Sequence, residues 1–227
     1  MTFDVVGAAA RAVLNRAAAW RFIEGFAAWW AEPIEAQDGW SNADLDAAEA
    51  RLGVRIPAAL REAYALFGKR PDLTSNQDRL LLPAELRMEG DVLVFRDENH
   101  WVAAWGTTAR DEDPAVLIKL DLVDKSEETW DPWLPRLSQA CVELVLSEAL
   151  FRDGAATADR EMSEADISLL ESQFRPLPLH SPNSRWFGTD DVLIREDDRQ
   201  WLWARARTPA AMEELMTVLP GDWTTEY

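Results

Sequence analysis

The sequence predicts an α+β fold, with N-terminal helices packed on a mostly antiparallel β-sheet and a C-terminal strand-strand-helix extension. Three observations predict it. Apolar residues recur at helical spacing from about residue 8 to residue 68, and capping residues bracket the segments. From Asp91 the period changes to two or to short continuous apolar runs, which is how strands read. Helical spacing then returns after Pro135.

Residues from about Ala8 to Ala31 favour one helix, because alanine and arginine dominate. Trp20, Phe22, Phe26, Trp29 and Trp30 form a broad apolar face on it that needs something to pack on. Pro33, Gln37, Asp38 and Gly39 end it. The next stretch, Trp40 to Gly68, is the best delimited in the chain and reads as two short helices joined by a hinge. Ser41 or Asn42 caps the first, accepting hydrogen bonds from unpaired amides, and Asp44 and Asp46 suit the positive end of its dipole. Leu45, Ala48, Glu49 and Leu52 share one face, and Gly53 stops the helix. Pro57 falls in the first turn of the second helix, where no amide hydrogen is needed. Leu60, Tyr64 and Phe67 share its face, and Gly68 is expected to end it as Gly53 ends the first. Trp40, Glu49, Leu52, Gly53, Pro57 and Tyr64 are therefore structural. A polar loop from Lys69 to Arg79 follows, then Leu80 to Leu82 and a turn of helix begun by Pro83.

Val92 to Phe95 reads as a strand, Asp97 to Asn99 as its turn, and Trp101 to Trp105 as the returning strand; Ala115 to Leu120 supplies a third. Leu137, Cys141, Leu144 and Val145 place a helix after Pro135. The stretch 152–159 is small and polar and is the candidate boundary. Ser163 and Glu164 open a short helix through Phe174, a proline-rich loop containing His180 follows, and strands are expected at Val192 to Arg195 and Trp201 to Ala206. A last helix runs from about Pro209 to Val218, capped by Thr208. The expected organisation is a helical extension at 1–34, an α+β domain at 35–152, and a helix-hairpin-helix extension at 160–227 for which the same sheet is a candidate packing surface. Asp91-Val-Leu-Val and Asp191-Val-Leu-Ile both precede an acidic turn and then a tryptophan. The expectation is two similar hairpins, since any amphipathic hairpin with an acidic turn gives such a match.

With 227 residues, 48% of them apolar, the chain can bury a sizeable core. Twenty-three basic residues against 41 acidic ones leave a formal charge of -18, which disfavours nucleic acid and anionic membranes; acidity alone reads first as a solvated, soluble surface, and a basic protein is the natural complement as a partner. No apolar run reaches the length of a membrane span and no basic leader precedes the first apolar residues, so a cytoplasmic location is expected. Cys141, the single cysteine, lies in an apolar helical run and reads as a buried, inert thiol.

Neither His100 nor His180 has metal-spaced neighbours, and no phosphate loop, nucleophile elbow or dinucleotide fingerprint occurs. No catalytic residue, cofactor or metal is expected. The acidic pairs, Asp97 and Glu98, Asp111 to Asp113, Glu127 and Glu128, Asp190 and Asp191, and Asp197 and Asp198, fall in expected turns and read as solvated turn residues. Tryptophan is the unusual component, with 12 in the chain. Most should pack, but Trp101 is flanked by Asp97, Glu98 and His100, a composition suited to an aromatic anchor with an acidic rim. The candidate partner-binding residues are Asp97, Glu98, His100, Trp101 and Trp105.

The run from Asp46 to Tyr64, Asp-Ala-Ala-Glu-Ala-Arg-Leu-Gly-Val-Arg-Ile-Pro-Ala-Ala-Leu-Arg-Glu-Ala-Tyr, resembles the hallmark of the SUKH superfamily: a helix with a central glutamate, then Leu-Gly, an apolar residue, proline and a second helix with an aromatic. The segment from Val94 to Gly106 looks like that family's central hairpin. The resemblance covers roughly Glu35 to Leu150. It implies an α+β fold without catalytic residues and a binding role, often the sequestration of a secreted polymorphic toxin such as a nuclease or deaminase. In place of the family's small glycine-rich loop this chain carries Lys69 to Arg79. The function this suggests is a noncatalytic immunity protein for a basic toxin; the alternative is an intracellular regulatory or scaffolding protein that binds an endogenous partner.

Overall fold

The computed structural model of the chain describes residues 2–152, 156–179 and 181–226. It is α+β, with two antiparallel sheets, and the chain divides into two compact units. One is continuous, Pro33–Glu148; the other joins Met1–Glu32 to Ala149–Tyr227.

The chain begins with two helices, α1 (Val5–Ala12) and α2 (Arg16–Trp30), where one was expected. Asn15 is the cause: its side chain accepts the Ala18 amide at 3.0 Å and starts a new helix. Phe22, Phe26 and Trp30 stack along α2 at ring spacings of 5.7 and 5.6 Å. These helices do not form a free-standing extension; they belong with the C-terminal residues. The Trp29 indole donates to the Asp190 carbonyl at 3.0 Å, the Arg207 guanidinium lies 3.7 Å from the Trp29 ring, and Arg205 donates to the Trp30 carbonyl. The apolar face that needed a partner has found one in the last third of the chain.

In the continuous unit, α3 (Asn42–Leu52) starts at a capping box in which Ser41 and Asp44 satisfy each other's amides, and ends at Gly53, whose φ of 72° lies in the left-handed region. Then α4 (Ala58–Phe67) starts after Pro57. Glu49 ties the two together, accepting the Ile56 amide at 3.0 Å and pairing with Arg61 at 3.2 Å. Leu52 is half-buried at the end of α3. Gly68 works differently from Gly53. Its backbone is right-handed, and the chain continues into a helical turn, α5 (Pro71–Thr74), where a plain loop was expected. Glycine is needed at 68 for closeness: a Cβ there would stand 2.8 Å from both Trp40 and Tyr64 side chains. The Trp40 indole donates to the Gly68 carbonyl at 3.0 Å, and the buried Tyr64 hydroxyl donates to the Leu81 carbonyl.

The sheet of this unit comprises β1 (Arg79–Leu80), β2 (Arg87–Glu89), β3 (Val92–Asp97), β4 (Ala103–Thr108), β5 (Val116–Leu120) and β6 (Asp131–Leu134). They pair in the order β1-β3-β4-β5-β6, with β2 also on β3. Pro83 starts a plain turn rather than a helix. Helix α6 (Leu137–Leu150) is buried along its whole length. Asp113 caps its start, accepting the Ser138 amide and hydroxyl at 2.8 and 2.7 Å.

In the other unit the C-terminal region is more than a hairpin and two helices. It holds β7 (Ala156–Glu161), α7 (Glu164–Gln173), β8 (Arg175–Leu177), β9 (Ser184–Gly188), β10 (Val192–Asp197), β11 (Trp201–Ala206), α8 (Pro209–Val218) and β12 (Thr224–Glu226). These strands form their own six-stranded sheet, β12-β7-β11-β10-β9-β8, rather than joining the first. β7 falls in the stretch read as a boundary, of which residues 153–155 lie outside the described residues, as does His180. Its alanines are buried at alternate positions and its polar residues carry the low hydrophobicity that hid it. Leu170, Phe174, Ile194, Leu202, Met212 and Leu215 form the core beside these strands.

The two similar hairpins are present, and β3 and β10 are offset by 100 residues at both ends (192 − 92 and 197 − 97). Their turns differ. Trp101 sits in the turn with a φ of 66°, whereas Trp201 is the first residue of β11, so the two tryptophans are not equivalent.

Candidate functional site

The central hairpin β3–β4 contains a register shift between Val94 and Arg96, after which Arg96 pairs with Trp105 and Asp97 with Ala104. Because side chains alternate across a strand, this sends Arg96 and Trp105 to one face and Asp97 to the other. On the first face Arg96 is 2% exposed. Its guanidinium meets Asp78 at 2.7 Å, Glu143 at 3.0 Å and Glu148 at 3.3 Å, and lies 4.4 Å from the Trp105 ring. Glu148 also accepts the amides of Asn76, Gln77 and Asp78. Burial pushes its carboxyl above the ordinary glutamate value, against the pull of Arg96. Trp105 packs on Trp133 at 5.7 Å. Both residues therefore belong to the interior: Trp105, expected at a binding surface, is 7% exposed.

The opposite face carries a cleft of about 230 Å³. Ala103 and Ala104 form part of its lining; Arg87, Glu89, Asp97 and Lys119 stand around it, and Trp101, Asp121 and Glu128 complete it. The pairing Asp97–Ala104–Lys119 across β3, β4 and β5 explains the arrangement, since the small alanine leaves room between two charged neighbours. Asp97 is not free. Arg87 holds its two oxygens at 2.8 and 2.9 Å, and the carboxylate is 4% exposed. Glu89 receives Lys119 and, at 3.3 Å, Arg87. Beyond them Lys125 pairs with Asp121 and, at 2.8 Å, with Glu128. Hydrogen bonding to these carboxylates raises the Lys125 pKa, and the same contact lowers that of Glu128. Two cationic side chains, Arg87 and Lys119, thus face four carboxylates in the lining, Glu89, Asp97, Asp121 and Glu128.

The turn closing the hairpin presents Trp101. Glu98 builds it, accepting the amides of His100 at 2.6 Å and Val102 at 3.3 Å, so this carboxylate is a turn-former and not an open rim charge. His100 lies 3.5 Å from Glu98 and its side chain is 78% exposed. Trp101 adopts a left-handed backbone that bulky residues rarely take and is 64% exposed. It has company: Val102, Leu120 and Val123 are also exposed, and the Asp121 amide donates to the Val102 carbonyl at 2.8 Å, joining the two segments. Four of the six large exposed hydrophobics among the described residues thus fall on two joined segments, 101–102 and 120–123, and Trp101 among them lines the cleft. Scattered singly they would need no explanation; on adjoining segments beside charge they mark the candidate binding surface.

Of the five residues expected to bind a partner, Trp101 and His100 are exposed there, Glu98 supports the turn, and Asp97 and Trp105 are buried on opposite faces. Lys119, Asp121, Lys125, Glu128, Val102, Leu120 and Val123 were not anticipated. A signal existed, because two of the chain's three lysines, Lys119 and Lys125, stand here. Other carboxylates are occupied in ways that serve the fold: Asp191 pairs with Arg207, and Asp197 accepts the Ser184 hydroxyl. No group of three metal-ligating side chains occurs among the described residues, and no described helix is long and apolar enough to cross a membrane. Burial pushes the Cys141 thiol far above its ordinary value, which makes it a poor nucleophile. Comparison with protein-family models, with curated proteins and with solved structures gives no match.

Proposed function

We propose that this chain is a noncatalytic protein-binding module that captures a basic protein on the corner formed by Trp101, Val102, Leu120 and Val123. The exposure of four large apolar residues on two joined segments, with Trp101 lining an acid-rich cleft, carries the reading. An apolar centre excludes water, while the surrounding negative charge, in a chain of net charge -18, accelerates encounter with a cation-rich surface. The resemblance of residues 46–64 and 94–106 to SUKH proteins gives the biological form: an immunity protein that covers the active site of a basic toxin of the nuclease or deaminase kind. Co-expression with the product of an adjacent toxin gene tests it. Protection of the host and co-purification of a complex whose association slows as salt rises are the expected results. Neither protection nor a complex would remove the immunity reading.

A further inference from the structure

Two kinds of cation pair with the carboxylates that line the acid-rich cleft. Arg87 and Lys119 are held by Asp97 and Glu89 and belong to the sheet. Lys125 is different: it sits on the loop after β5 with its side chain 62% exposed, pairing with Asp121, 56% exposed, and Glu128, 15% exposed. An ion pair this open to water contributes little to stability, so its cation can be exchanged at small cost. Leu120 at the end of β5 and Val123 on the same loop are exposed, and Trp101 shares the cleft lining with Asp121 and Glu128.

We infer that the cleft seats one arginine side chain of the basic partner, its guanidinium replacing the Lys125 ammonium between Asp121 and Glu128 while the exposed corner residues cover its neighbours on the partner surface. This rests on the protein-binding reading above and specifies its anchor. Size favours a single side chain, because about 230 Å³ lies below the range of pockets that hold drug-sized ligands. Charge favours a cation, with four carboxylates against two fixed positive groups. Shape favours arginine over lysine: a planar guanidinium can face two carboxylates and stack on the indole of Trp101, whereas an ammonium would only duplicate Lys125. Once the partner covers the corner, loss of water strengthens the new pair in a way the exposed lysine never experiences.

The test titrates the intact chain with N-acetyl-arginine methylamide, and separately with its lysine counterpart, following the Trp101 indole N–H by NMR. Saturable shifts confined to Trp101 and the 120–128 loop are expected, with the lysine amide weaker. Lys125→Ala should tighten the arginine amide about fivefold, the size expected for removing one exposed competing ion pair. Asp121→Asn with Glu128→Gln should abolish binding, and the carboxamide oxygen left by Glu128→Gln can still accept from the Leu122 amide, which Glu128 holds at 3.1 Å. Shifts spread over the whole acidic surface, equal binding of the lysine amide, or an unchanged affinity in Lys125→Ala would overturn the assignment. Failure of the two ideas is separable. If the arginine amide binds here but no basic protein is captured, the protein-binding reading falls and the subsite stands; if a captured protein is indifferent to Lys125, Asp121 and Glu128, the subsite falls.

Discussion

Arg87 on β2 grips both oxygens of Asp97 at the end of β3, at 2.8 and 2.9 Å, and so spends on the fold a carboxylate that its position beside an exposed tryptophan would assign to binding. Trp101, four residues on, is 64% exposed. Asp97 and Trp101 lie in one short hairpin with opposite exposure.

That separation is measurable. Asp97→Asn leaves Arg87 with a neutral partner on one side and should lower stability by about 1–3 kcal/mol, read as a fall in Tm. Trp101→Ala should change stability by less than about 0.5 kcal/mol, since an exposed side chain is removed, yet weaken capture of the basic partner by at least about 2 kcal/mol. A Trp101→Ala protein that binds as tightly as the parent would displace the surface from this corner.

The two glycines of the helical hairpin should respond to alanine for different reasons. Gly53 has a φ of 72° and open space around it, so Gly53→Ala should cost about 1 kcal/mol of backbone strain. Gly68 has an ordinary backbone but would push its Cβ into Trp40 and Tyr64, and Gly68→Ala should cost about 1–3 kcal/mol through displaced rings. Chemical denaturation resolves the size of each loss. The fluorescence of the native state discriminates the causes, because only Gly68→Ala should disturb Trp40.

The hydroxyl of Tyr64, buried and donating to the Leu81 carbonyl, is the clearest isolated polar contact in the continuous unit. Tyr64→Phe should cost about 1–2 kcal/mol, because the carbonyl loses its donor without a cavity opening. Loss of less than about 0.3 kcal/mol would mean that water replaces the donor.

Two buried carboxylates, one in each unit, contribute to stability with pH dependences of opposite sign. Burial raises Glu148, so the native state binds its proton more tightly than the unfolded chain does. Stability from this group is complete below the ordinary glutamate value of 4.5 and is lost as pH rises through the higher folded value. Asp166 is shifted the other way by its bidentate hydrogen bonds from Arg160, at 2.7 and 2.8 Å. Its contribution is present above the ordinary aspartate value of 3.8 and disappears as pH falls through the lower folded one. Glu148→Gln should therefore flatten the decline in stability above pH 4.5, while Asp166→Asn should flatten the acid-side loss. Hydrogen exchange read separately in α6 and β7 distinguishes the two.

Much of the fold was legible because its signals are local. Ser41 with Asp44, Gly53, Ser163 and Thr208 mark helix ends through contacts a few residues long, and α3, α7 and α8 begin where those residues put them. β10 and β11 announce themselves by short apolar runs rich in branched and aromatic residues. Strands such as β7 and β8 were hidden, since short, polar or proline-bearing segments are held by neighbours and not by their own composition. The site was half legible. Trp101 stood out beside acidic residues, but Lys125, Asp121 and Glu128 reach it from a loop about twenty residues later.

By itself the sequence determined the α+β class, the capped helical hairpin, the acidic character of the chain and the central hairpin, though it put Asp97 in the turn and Trp101 on the returning strand, where the structure ends β3 at Asp97 and leaves Trp101 in the turn. Each depends on residue type or on spacing within one element. Tertiary structure decided which chain ends fold together, that the second half builds its own sheet, and which carboxylates near Trp101 are spent on arginine. For the last of these the reason is the register shift in β3. One irregular residue sets Arg96 inward and Asp97 outward, and pairing across strands, which composition does not encode, determines what each one meets.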